Sequence, residues 1–495
     1  MIELDGHHLS LRDAERIVWE NEPVSLSPQA LRAVEASARR VEEIVAEGRR
    51  VYGINTGLGK LSTQTIPPER LGELQLNLLR SHAAGVGEPL PPEAARAALL
   101  FRLNALLRGH SGVRPVVVEH LQKLLNADVV PVIPSQGSVG SSGDLAPLAH
   151  LALLLIGEGE ALVQGEKLSG GEVLQRLSLK PLRLAPKEGL ALINGTQVSL
   201  AVGFCAFRTA RNAWEHALWA TAWAYEAAGA HTAPLDPRLG EVHPHPGQKL
   251  AAERLRALLE GSRLTGRNPD VQDPYSLRCA PQVLGAVWEG LRFVEQTLEI
   301  EINSATDNPL LFPETGEALS GGEFHGETLA LALEVLGLVS AQLGAFLERQ
   351  LAHLLEHPDL PPFLVEEGGL HSGLMIAQYT AASLVAENKV LAHPASVDSI
   401  PTSGGKEDYN SLASIGAQKA HRIAQNVEKI TALALLVAGQ ALGFRDPEEM
   451  APRTRRAYRR FREEVPPWIR DRLLHGDIRK AVQLVRRREL ISDGL

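Results

Sequence analysis

Apolar positions recur at three- and four-residue spacing along most of the chain, so the pattern predicts far more helix than strand. After Ser27-Pro28, one apolar face is set by Leu31, Val34, Val41, Ile44 and Val45, with proline where a helix start tolerates it. Helices dominate from Pro67 onward, with a break near Gly109-His110-Ser111-Gly112. From Val198 to Ala230 a long helix rich in alanine and tryptophan is expected. Thr328–Glu348, Ser372–Leu391 and Ala417–Leu442 are apolar nearly all round, which predicts burial among other helices or subunits. Strand signals are few. The first residues read as a small strand or turn region, Val129–Ile133 as a short β-branched run, and glycine-broken Gly157–Leu184 as a small hairpin and helix. The fold class is therefore mainly α: an N-terminal mixed region over 1–200, then a long helical bundle with C-terminal helices over 201–495.

Composition changes this picture in a few places. The chain is 44% apolar but only 4% aromatic, which again favours helix over sheet. A net charge of −9 gives no reason to expect nucleic acid. The arginines of the tail (Arg455, Arg456, Arg459, Arg460, Arg486, Arg487 and Arg488) are interleaved with acids and read as solvated helix faces. Cys205 and Cys279 are the only cysteines, so neither a disulfide framework nor a cysteine metal site is implied. His243 and His245 in a proline-rich loop are a weak metal signal without carboxylate geometry. The start, Met1-Ile2-Glu3-Leu4-Asp5, carries acid rather than the basic start of a secretory signal. Apolar stretches such as Leu148–Ile156 and Ala432–Phe444 are too short to span a bilayer. A cytoplasmic protein with no membrane association is expected.

The chemistry centres on Gly137-Ser138-Val139-Gly140-Ser141-Ser142-Gly143-Asp144-Leu145-Ala146-Pro147-Leu148-Ala149-His150. Its first half is only Gly, Ser and Val. Its second half starts a helix, where Asp144 can cap or sit in the first turn, Pro147 is tolerated, and Leu145, Leu148, Leu151 and Leu155 follow at helical spacing. A small-residue turn thus points at the positive end of a helix. A phosphate cradle does not fit, because the spacing is not G-x-G-x-x-G and no Gly-Lys-Ser/Thr follows. A nucleophile elbow does not fit, because G-x-S-x-G is absent. The remaining local reading is a structural turn.

Other stretches stand out beside it. Val51-Tyr52-Gly53-Ile54-Asn55-Thr56-Gly57-Leu58-Gly59-Lys60 is a mobile loop carrying a lone tyrosine. Ser81-His82-Ala83-Ala84-Gly85-Val86-Gly87 breaks a helix. Asn194-Gly195 in Glu188–Gln197 would ordinarily be a turn. In Gln272-Asp273-Pro274-Tyr275-Ser276-Leu277-Arg278, Pro274 suits a first helical turn, and Gln272, Tyr275 and Arg278 would share one broad face.

Taken jointly, these segments resemble the aromatic amino acid ammonia-lyase and aminomutase family, most closely its histidine-deaminating members, over roughly residues 2–480. Two further segments, Glu301–Pro309 and Leu319–Glu327, belong to the same resemblance, as does Ser396–Asn410. The resemblance implies a fumarase/aspartase-like lyase architecture and a homotetramer with sites built from several subunits. It also implies an electrophilic 4-methylidene-imidazol-5-one made autocatalytically from the chain. Its precursor here is Ser141-Ser142-Gly143, where the family pattern is Ala-Ser-Gly; the nitrogen of Gly143 attacks the carbonyl of residue 141, and Ser142 loses its side chain as water. No metal and no diffusible cofactor are then needed.

The roles implied by the resemblance follow residue by residue. Tyr52 is the base that removes the β-proton, with a depressed pKa to which a helix terminus could contribute. Arg278 and Asn194 fix the substrate carboxylate, Arg278 as a two-pronged fork. His82 and Glu407 address an imidazole ring. Tyr275, Gln272 and Phe324 complete the pocket. Position 407 is where histidine-acting members carry Glu and phenylalanine-acting members usually carry Gln. The chain departs from the family at Glu323, where Asn is expected, and at Gly404-Gly405-Lys406 and Tyr409, where the pattern is Ala-Asn-Gln-Glu-Asp-His. The implied reaction is L-histidine to trans-urocanate and ammonia. A tyrosine or phenylalanine ammonia-lyase or aminomutase, and a non-catalytic unprocessed relative, are the alternatives.

Overall fold

The computed structural model describes residues 1–491. The chain divides into two compact units. One comprises Met1–Cys205, Glu295–Leu333 and Ala395–Gln418; the other comprises Ala206–Val294, Glu334–Pro394 and Lys419–Leu495.

The first unit holds all of the described strands, each three or four residues long. Ile2–Leu4 pairs in parallel with Val24–Leu26, Ile2 opposite Val24. Val129–Pro131 pairs with Glu160–Val163, which turns back as a hairpin onto Glu166–Ser169. That hairpin and the helix Gly170–Arg176 after it match the reading of Gly157–Leu184. Val86–Pro89 pairs with Pro134–Gln136 and so ties the segment after His82 to the segment before Gly137. A helix the pattern did not single out, Leu11–Trp19, lies between the first two strands. Ser10 caps it by accepting from Asp13 N–H, and it buries Leu11, Ala14, Ile17 and Val18.

The helix Pro92–Leu107 is the core of this unit, buried along nearly its whole length. It carries Arg102 into the interior, where Nη1 donates to Asn194 O at 2.7 Å and Gln197 Oε1 at 2.9 Å. Nearby, Lys187 donates to Asp307 at 2.5 Å with both side chains fully buried. Removing one partner of such a pair leaves a buried charge uncompensated. Asp307→Asn is therefore expected to lower unfolding stability by about 3–5 kcal/mol, read as a lower denaturant midpoint with unchanged slope. A midpoint within error of wild type would show that the pair contributes nothing.

The regular elements among the described residues of the second unit are all helices. Trp223 packs against Phe461 and Tyr458 with ring centroids 5.5 and 6.0 Å apart, and Trp214 Nε1 donates to Leu284 O at 2.8 Å. The arginine-rich tail is paired with acids: Arg460 with Glu463 and Glu464, Arg455 and Arg459 with Glu448, Arg486 with Glu428.

The long apolar helices span Gln197–Ala228, Glu327–Leu355, Met375–Leu391 and Ala413–Leu442. One expectation is corrected here. Glu327–Leu355 is long and apolar enough to cross a membrane by length and composition, although no stretch was expected to be; 56% of its most apolar window is buried inside the chain. Isolated polar residues interrupt its sequence while its mean hydropathy stays high, and the interior of a helix bundle selects the same composition.

Candidate active site

The glycine-serine stretch leaves the strand Pro134–Gln136 and enters the helix Leu145–Leu153. Asp144 occupies the N-cap position, but its side chain makes no capping bond to that helix. Its carboxylate accepts instead from Ser199 N–H (2.6 Å), Ser199 Oγ (2.7 Å) and Ser138 Oγ (3.1 Å). Its own N–H donates to Gly195 O at 2.7 Å. Gly143 has φ +71°, and a Cβ there would lie 2.2 Å from Gly195 O. Gly195 has φ +149°, and a Cβ there would meet Gln197 Oε1 at 2.4 Å. The two glycines thus touch backbone to backbone in conformations and at a distance that any side chain forbids.

A second grip comes from the start of the helix Ala413–Leu442. Leu412 N–H donates to Val139 O at 3.0 Å, Ser414 Oγ to Ser138 O at 2.6 Å and Ser411 Oγ to Gly140 O at 3.3 Å. The turn is therefore clamped on both sides. Between the clamps the hydroxyls of Ser141 and Ser142 reach Glu407. Ser141 donates to Oε2, while Ser142 Oγ lies 3.4 Å from Oε1. Thr402 Oγ1 also donates to Oε2, at 2.9 Å.

A cavity of about 360 Å³ opens here. It is lined by Tyr52, His82, Ser142, Asn194 and Glu407, closed by Leu58, Leu74, Leu78, Leu190 and other residues of the first unit. Tyr52 stands on the glycine-rich loop, its hydroxyl accepting from Gly59 N–H at 3.3 Å. His82 ends the helix Leu71–His82 and uses Nδ1 on Leu78 O at 2.9 Å, which leaves Nε2 for a ligand. Asn194 is buried and its Oδ1 has no partner, so an acceptor is held ready beside the cavity.

Burial sets the electrostatics. It pushes the Tyr52 phenol above its usual value, with a smaller push from the Glu407 charge, against the Gly59 N–H. This corrects the expectation of a depressed tyrosine: desolvation outweighs the one lowering contact named, the Gly59 N–H. Burial also lowers His82, so its imidazole is neutral near pH 7, with the Leu78 carbonyl and Glu407 opposing. Beneath the turn, burial raises Asp144 against its Ser199 and Ser138 hydrogen bonds. Glu301, which accepts from Thr196 Oγ1, is raised by burial too, with a further push from Asp144.

The other expected residues are placed elsewhere. Phe324 is half-buried in the turn before the helix Glu327–Leu355 and does not line the cavity. Gln272 and Arg278 belong to the second unit, where they line a separate cavity of about 860 Å³ with His231, Asp273 and Cys279. The helix there is only Tyr275–Arg278, with Pro274 as its N-cap, so Gln272 lies outside it and shares no helical face. Tyr275 is 72% exposed and stacks under the Arg278 guanidinium at 4.9 Å. Arg278 Nε is buried without a partner.

Several supporting residues carried no sequence signal of their own. Arg102, Thr402, Ser199 and Ser414 matter through contacts across at least 55 residues of chain. A polar residue at an apolar helix position, as Arg102 is, was the one hint available.

Comparisons with known proteins give the family. The aromatic amino acid lyase family model matches residues 9–463. The chain is 50% identical over 491 residues to histidine ammonia-lyase of Symbiobacterium thermophilum, covering 98% of this chain and 97% of that protein. Among solved structures, histidine ammonia-lyase from Trypanosoma cruzi superposes with a TM-score of 0.93 at 43% identity, covering 99% of this chain and 94% of that one. Tyrosine aminomutase from Streptomyces globisporus gives 0.94 at 37% identity, covering 99% and 97%.

Proposed function

Because the chain belongs to the aromatic amino acid lyase family, we propose that it is an ammonia-lyase converting L-histidine to trans-urocanate and ammonia, a step of histidine degradation. The observation that carries the substrate is one cavity lined by His82, Glu407 and Ser142, with the neighbouring Ser141 hydrogen-bonded to Glu407. A neutral imidazole and a carboxylate form a polar pair that an imidazole ring can satisfy and a phenyl ring cannot.

The tripeptide suits a group cyclised from the chain itself. Gly143 sits where only glycine fits, and the flanking backbone is held from both sides. Ring closure releases one water as the Gly143 nitrogen displaces the carbonyl oxygen of residue 141. A second leaves as Ser142 gives up its hydroxyl and its α-hydrogen. The resulting 4-methylidene-imidazol-5-one supplies the electron sink that makes an amine a competent leaving group. No metal or diffusible cofactor enters this reading.

The chain's own residues do the rest. Tyr52 takes the β-proton of the substrate. His82 Nε2 and Glu407 hold the imidazole, and Asn194 bonds the amino acid end. Arg278 provides the carboxylate fork, and its unpartnered Nε is consistent with a ligand there. Gln272, Tyr275 and Arg278 are contributed by neighbouring subunits of a homotetramer, and Phe324 shapes the approach. The enzyme works in the cytoplasm, without a membrane or nucleic-acid partner.

A substrate screen tests this. Histidine is expected to be deaminated with the highest kcat/KM. Phenylalanine should be rejected by about one to two decades, since it leaves buried polar groups unpaired at roughly 1–3 kcal/mol. The tyrosine arm matters because of the likeness to tyrosine aminomutase. A preference for tyrosine or phenylalanine would overturn the histidine assignment.

A further inference from the structure

The position that departs from the family tripeptide, Ser141, carries a hydroxyl that reaches Glu407. It donates to Oε2, and Thr402 Oγ1 donates to the same oxygen at 2.9 Å. The two hydroxyls are themselves 3.0 Å apart. The other carboxylate oxygen, Oε1, has one hydrogen-bond partner among the described residues, Ser142 Oγ at 3.4 Å. That distance is at the weak end of hydrogen bonding.

These two oxygens have different fates under the reading above, on which this inference rests. The Ser142 hydroxyl leaves as water during ring closure, so Oε1 loses its partner. The Ser141 side chain stays outside the ring and keeps its hydroxyl, so Oε2 keeps both of its donors. Hydrogen bonds to a carboxylate are among the stronger ones a protein makes, and they remove rotamer freedom that a lone glutamate would otherwise retain. We infer that Ser141 is a positioning residue for substrate recognition: with Thr402 it fixes one oxygen of Glu407 and leaves the other free to accept from the substrate's imidazole. Its side chain takes no part in the bonds that break, in ring closure or in the elimination. Its effect reaches the substrate through Glu407.

The test uses the full-length chain with two variants, Ser141→Ala and Ser141→Thr. Intact mass first establishes that each is short by two waters, as wild type should be. Ser141→Ala is expected to raise KM for histidine about five- to tenfold, the worth of roughly one ordinary net hydrogen bond, since the loss reaches the substrate only through Glu407. Its kcat should stay within about twofold, and Ser141→Thr should restore KM. Inhibition by phenylalanine, which has no imidazole, should not change.

A second measurement is independent of turnover. Calorimetric titration of histidine into Ser142→Ala, compared with the same protein also carrying Ser141→Ala, should show a similar loss of affinity. An unmoved KM, a lost mass deficit in Ser141→Ala, failure of threonine to rescue, or an equal shift in phenylalanine inhibition would each overturn the inference. A wild-type chain that deaminates tyrosine and not histidine would instead overturn the substrate reading beneath it.

Discussion

Purified wild-type chain is expected to weigh two waters less than its sequence, and Ser142→Ala to weigh at most one water less while losing activity by roughly a thousandfold or more. The size follows from the chemistry. Without the electrophile, an amine must leave unassisted from a carbon whose neighbouring proton is barely acidic. Gly143→Ala should act by a different route to a similar end. A Cβ at residue 143 would lie 2.2 Å from Gly195 O, at a φ of +71° that an alanine resists. The clamped turn must then open, and the mass should stay at the full sequence value. Full-length mass together with lyase activity in wild type would refute the self-made electrophile.

Tyr52→Phe is expected to lower kcat/KM for histidine by about two to four decades, the usual worth of a positioned general base, while the mass deficit stays intact. A pH profile separates this from damage to the fold. A phenol is an effective base only when deprotonated. Burial and the Glu407 charge both raise Tyr52, so below its pKa the protonated, inactive form dominates. The rising limb of kcat/KM should therefore run from neutral into alkaline pH, later than for an unperturbed phenol. In Tyr52→Phe that limb should vanish. A variant within tenfold of wild type that keeps the limb would exclude Tyr52 as the base.

The legible parts of this protein were those written locally in the chain. Helical periodicity located the long apolar helices to within a few residues at most ends. The Ser141-Ser142-Gly143 tripeptide, the lone tyrosine of the glycine loop, His82, Asn194 and Glu407 were singled out by short runs that resemble the family's, not by any local property that marks them as functional. What could not be read depends on distant contacts. Arg102 looked like one more polar residue in an apolar helix until its Nη1 was seen donating to both Asn194 O and Gln197 Oε1. The grip of Ser414 on Ser138 spans 276 residues. The helix Leu11–Trp19 is short and charged on one face, and its four buried residues register only once there is something to bury them against. The direction of the Tyr52 shift was missed for the same reason. Sequence supplies the phenol, but its desolvation is a property of the cavity.

The double clamp on the turn gives the proposed maturation a schedule. One jaw is Gly195 with Ser199, and the other is Leu412 with Ser414. A ribosome that has just finished the tripeptide has still to make some 270 residues before the second jaw exists. On the proposed chemistry, ring closure waits for the nascent chain to be nearly complete and docked. The missing waters then serve as a permanent stamp. A molecule that never folded keeps its full mass, whereas one that folded and later unravelled carries the deficit for life. Weighing an inactive preparation would therefore tell failed folding from later denaturation, a history that contacts alone erase.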